Sequence, residues 1–123
     1  MAFPVAADFA EAAAFASRLV QAIFQNGGES LKTQLDLWLA AIPQALSNPE
    51  NIGQRTVYNF VPIGRELSEA IPTIEASQTQ VNANDLTIFL WQCATGIQGA
   101  FDGSRISLAQ YSALLVSWNG IWV

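Results

Sequence analysis

Along the last forty positions, Asn84 to Val123, apolar residues recur with the period of a helix on both sides of a short polar turn. Leu86, Leu90, Cys93, Ile97 and Phe101 follow one another at steps of four, three, four and four, and Asn84 stands where a cap belongs. After the turn, Leu108, Tyr111, Leu115, Trp118 and Trp122 step by three, four, three and four. Ser107 and Gln110 spell a capping box, in which hydroxyl and amide each satisfy a backbone N–H left free at a helix start, and Ile106 with Tyr111 flanks it as a hydrophobic staple. The pattern predicts an αα-hairpin joined at Asp102 to Arg105, with Gly103 as the turn residue.

Upstream, residues 5–26 read as one alanine-rich helix with Phe9, Ala12, Ala16, Leu19 and Ile23 on its apolar row, started by Asp8 and Glu11 and stopped by Asn26-Gly27-Gly28. A second helix is expected from Ser30 to Leu46 on Leu31, Leu35, Trp38, Ile42 and Leu46. Pro43 falls inside it, which predicts a kink or break near Leu39 to Ile42. Ser47 to Asn51 reads as a loop. Val57 to Val61 suits a strand or a helical turn; helix is preferred, because a lone strand has no partner. Ile63, Leu67, Ala70, Ile71 and Ile74 give a further helical row interrupted by Pro72, and Glu75 to Asn84 reads as a polar connection. The triplet Ala-Ile-Pro occurs at both 41–43 and 70–72, but the flanks diverge and two units are too few for a repeat array. The expectation is an all-α bundle of four or five helices in a single domain spanning residues 1–123.

Composition changes this picture in one respect. Hydrophobic residues make up 51% of the chain and charged residues only 12%, about half the usual share for a soluble protein. So few charges cannot cover a solitary domain of this size, which implies a surface that is rich in uncharged polar groups or covered by something else. The net charge is −5, and Arg18, Lys32, Arg55, Arg65 and Arg105 are scattered singly, which argues against a nucleic-acid partner. Cys93 is the only cysteine, so the fold does not depend on an internal disulfide, and the residue reads as a small core side chain. The first residues show no secretory pattern, leaving a cytoplasmic or virion location open.

Candidate chemistry is sparse. The absence of histidine removes the commonest general base and the imidazole metal ligands. Glu66 and Glu69, three apart, read as a solvated helix face more readily than as an acid–base pair, and no carboxylate spacing completes a di-metal set. Were Gly103 the glycine of a calcium loop, the closing position would be Ala109, not a glutamate. Gly27-Gly28 lacks the residues of a phosphate cradle. No catalytic, cofactor-binding or metal residue is assigned, and the chain is expected to be neither an enzyme nor a cofactor carrier.

The stretch Asp102-Gly103-Ser104-Arg105-Ile106-Ser107-Leu108 resembles helix-starting turns in small helical structural proteins of tailed bacteriophages. The resemblance covers this turn and helix start only, transfers no functional residue, and implies a virion component. With the charge deficit it favours a non-enzymatic structural or interaction subunit of an obligate homo-oligomer or larger protein assembly. Trp118, Ile121, Trp122 and Val123, with Tyr111 and Leu115, are the expected interface residues; the alternative is that they fold back into their own core. A second reading is a small membrane-associated protein of lysis or channel type, because 86–101 and 106–123 carry no charge. Against it stand the polar residues of the second arm and the lack of a basic cluster after it.

Overall fold

The computed structural model describes residues 5–26, 28–46, 51–52, 55–77 and 80–122, without side chains for 22–31 and 71–83. In chain order these form α1 (Phe9–Ala14), α2 (Ala16–Asn26), α3 (Gly28–Ala45), β1 (Asn51–Ile52), β2 (Arg55–Thr56), α4 (Val57–Ser77), α5 (Gln80–Asp102) and α6 (Leu108–Trp122). The fold is all-α apart from one minimal hairpin. Its described helices number six, above the four or five expected, because the first predicted helix is interrupted at Phe15. Both halves, α1 and α2, pack on α5.

Local chemistry explains most of the boundaries. Asp8 caps α1 by accepting the Glu11 N–H at 2.7 Å, while the Glu11 carboxylate accepts the N–H of Ala7 at 3.2 Å. The α3 helix passes Pro43 without the predicted break. The proline stands near the helix end, where only one ladder bond is forfeited, and the next turn closes through Leu46 N–H to the Ile42 carbonyl at 3.0 Å. The loop expected over Ser47 to Asn51 lies mostly outside the described residues. Two-residue strands precede α4, paired as Asn51 with Thr56 and Ile52 with Arg55. Val57 to Val61 is helical as preferred; the two short strands lie just ahead of it, where each supplies the other's partner. The α4 helix also runs on past Pro72. The polar connection expected before the terminal arms is largely helix, since α5 begins at Gln80 and not behind a cap at Asn84.

The turn between α5 and α6 is a Schellman motif. Arg105 N–H reaches the Ala100 carbonyl at 2.8 Å and Ser104 N–H the Phe101 carbonyl at 3.0 Å. The left-handed residue is Ser104, at φ 58°, and not the neighbouring Gly103 as the sequence suggested. At the start of α6 the capping box forms as spelled: Gln110 N–H donates to Ser107 Oγ at 3.1 Å, and Ser107 N–H to Gln110 Oε1 at 2.8 Å.

The two C-terminal helices share this turn but face other partners along most of their length. The α6 helix packs chiefly against α3, α3 also against α4, and α5 against α1 and α2. The expected rows of α3 and α5 are buried over most of their length, with Leu35, Trp38, Ile42, Leu86, Leu90, Cys93 and Ile97 all inaccessible; Phe101 is half-buried and the Leu31 side chain lies outside the described residues. The α4 row is shifted: Val57, Phe60, Gly64 and Ser68 face inward, while Ile63 and Leu67 lie half-buried at its edge. A Cβ at Gly64 would sit 2.7 Å from Phe89 Cζ and closer still to Leu39 Cδ2, so the missing side chain sets the approach of α4 to its neighbours.

Candidate interaction surface

The terminal aromatics proposed as anchors are inside the chain's own core. Trp118, Trp122 and Tyr111 are buried, Leu115 and Ile121 are half-buried and pack on that core, and Val123 lies outside the described residues. The inward row of α6 is Tyr111, Leu114, Trp118 and Trp122; Leu114 takes the place expected for Leu115, and Leu108 points out at 66% exposure. The reason is an aromatic cluster built by three helices. Trp118 meets Phe9 of α1 at 5.9 Å and Trp38 of α3 at 5.1 Å, both edge to face, and Phe9 meets the Tyr111 ring at 5.4 Å in the same manner. Such pairs contribute about 0.5 to 1.5 kcal/mol each beyond their buried area, which favours the intramolecular destination for these rings.

Polar groups tie this cluster together. The Tyr111 hydroxyl accepts the buried Phe9 N–H at 2.9 Å and donates to Gln98 Oε1 at 2.5 Å. Burial pushes its pKa up, assisted by Asp8 and Asp102 against the pull of the Phe9 N–H. Trp38 Nε1 points at Cys93 Sγ at 3.5 Å, and burial likewise pushes the Cys93 thiol up, so it stays protonated and unreactive. Gln34 Nε2 donates to the Ile121 carbonyl at 3.0 Å, satisfying one acceptor at the open end of α6.

The most charged cluster among the described residues crosses from α3 to α4. Ser68, buried on α4, donates its hydroxyl to Asp36 Oδ1, and Lys32 Nζ holds Asp36 Oδ2 at 2.9 Å. Burial alone would raise the Asp36 pKa. The Ser68 hydroxyl, Lys32 and the Arg65 charge outweigh it, so the carboxyl titrates below its ordinary value. This is a cross-link between helices: the serine hydroxyl faces a carboxylate already held by an ammonium group. Glu66 and Glu69 are both exposed, and among the described residues no three ligating side chains gather as a metal site would require.

The outward face of α6 carries no charge. On α6 the exposed positions are Leu108, Ala109, Ser112, Ala113, Val116 and Gly120. On α5, Ile88 and Trp91 stand out at 52% and 50% exposure. Neither belongs to the interface residues that the sequence pattern points to, because neither lies on an apolar stripe. The signal was there, since Trp91 falls off the Leu86–Leu90–Cys93 row and must face away from it. Two shallow grooves flank this ridge. One, of about 360 Å³, has an alanine floor from Ala13 and Ala16; the other, of about 300 Å³, lies between α4 and α5, and Ile88 borders both. Among the described residues no helix is long and apolar enough to cross a membrane.

Comparison with protein-family models, with characterised proteins and with solved structures finds no match for the chain.

Proposed function

We propose that the chain is a non-enzymatic structural or interaction subunit of an obligate multi-subunit assembly, with a virion particle as the setting suggested by the turn at Asp102 to Leu108. The observation that supports this reading is the outer face of α6, where six exposed positions in one helix carry no charge. The outer face of a helix on a solitary domain is normally charged. Small residues there, and open space around both Gly99 and Gly120, leave room for a neighbouring backbone to approach closely. The aromatic end contributes by holding α6 rigidly from beneath, and a rigid face loses less entropy on association.

Val116→Lys tests the reading. The side chain is 73% exposed, so the fold should tolerate the change. Circular dichroism should be unaltered while sedimentation shows a smaller species than the wild type. An unchanged particle would place the contacts elsewhere and remove the support drawn from α6.

A further inference from the structure

We propose that the ridge of Ile88 and Trp91 on α5, with the groove between α4 and α5 beside it, docks an amphipathic helix of a partner protein that carries Lys or Arg along the edge of its apolar face. The inference rests on the interaction-subunit reading and names the kind of partner. Ile63, Leu67 and Ile88 form the apolar wall of that groove, and Glu66 and Asp85 stand on its exposed rim. Among the described residues the one ion pair is Lys32 with Asp36, so neither rim carboxylate is held in an ion pair there. Arg65 precedes Glu66 in sequence, and its charge also reaches Asp36 on α3.

An apolar groove with two unpaired carboxylates at its edge selects for a cationic occupant, because a like charge brought there is repelled and a positive one is not. A second copy of this chain, at net charge −5, is the poorer match. An anionic lipid surface is repelled in the same way. A helix suits the shape. Ile88 and Trp91, one turn apart on the ridge between the two grooves, present the three-residue spacing that a helix laid beside α5 would match with its own side chains. Half-exposed Trp91 is the residue type most often found as an anchor in such contacts.

The test is a calorimetric titration of the full chain with two synthetic helical peptides. Each has leucines at helical spacing on one face; the flanks of one carry lysine and those of the other glutamate. The lysine peptide should bind about tenfold or more tightly than the glutamate peptide at low salt. The double variant Glu66→Gln with Asp85→Asn should bring the two affinities together, and Trp91→Ala should weaken the lysine peptide by about tenfold or more. Equal affinities in the wild type, indifference to Trp91→Ala, or no binding of either peptide at millimolar concentration overturns the proposal. So does binding to phosphatidylcholine vesicles in preference to the peptides. Sedimentation separates the two levels of inference. An assembled Trp91→Ala variant without peptide selectivity would defeat the docking proposal alone, whereas a monomeric, highly soluble wild type that discriminates between the peptides would defeat the assembly reading alone.

Discussion

Asn119 gives both ends of its side-chain amide to the backbone of Ala6: Oδ1 accepts the Ala6 N–H at 2.9 Å, and Nδ2 donates to the Ala6 carbonyl at 3.0 Å. The amide thus substitutes for a strand partner and pins the start of the chain across its last helix. Asn119→Ala removes both bonds and should cost about 1 to 3 kcal/mol. Asn119→Asp should be no better, because a carboxylate oxygen would then face the Ala6 carbonyl. Urea unfolding gives the cost, and hydrogen exchange of the Ala6 amide should accelerate in both variants.

At Gly64, packing opposes helix propensity. Alanine favours the helix by about 1 kcal/mol, but its methyl would overlap Leu39 and Phe89. Overpacking of this kind costs about 1 to 3 kcal/mol, so Gly64→Ala should lower the thermal midpoint. Gly99→Ala, with nothing within 4 Å of the added carbon, should raise it. Calorimetry of the pair should therefore give shifts of opposite sign.

Ser104 occupies a backbone conformation that costs an L-residue roughly 1 kcal/mol or more. Ser104→Gly should relieve that cost and stabilise the chain by about 1 kcal/mol, measured as a higher denaturation midpoint with an unchanged slope. Gly103→Ser is the control. It gains nothing in the turn, and its Cβ would lie 3.2 Å from the Gly99 carbonyl oxygen.

The cross-link at Asp36 gives stability a pH dependence of definite sign. Its pKa is lowered in the folded state, so the folded form binds fewer protons than the unfolded one. The stabilisation is complete above the ordinary value of 3.8 and is lost as pH falls through the lower folded value. Ser68→Ala removes one of the groups holding the carboxylate. Its acid-unfolding midpoint should lie at higher pH than that of the wild type, and the difference between the two proteins should shrink once both carboxyls are protonated.

The helical rows of α3 and α5 were legible because their inward positions are large and apolar: Leu35, Trp38 and Ile42, and Leu86, Leu90 and Ile97. The capping box at Ser107 was legible because it is written in four consecutive residues. The inward row of α4 was not. Two of its positions are Gly64 and Ser68, buried for close approach and for a hydrogen bond, and no count of apolar residues registers either. The interruption at Phe15 was not legible either, because the alanines on both sides of it suit a continuous helix and no residue there is a helix breaker. The destination of Trp118 depended on Phe9 and Trp38, far away in sequence, so periodicity within α6 alone left it open. Once those rings are assigned to the core, the candidate surface moves to the residues that α5 and α6 turn outward.

The most direct measurement is sedimentation equilibrium of the full chain over a wide concentration range. An account in which the uncharged outer face of α6 is covered by copies of the same chain predicts a mass that is a multiple of 13.3 kDa, or one that rises with concentration. A species that stays at 13.3 kDa and remains soluble at the highest concentrations would contradict it.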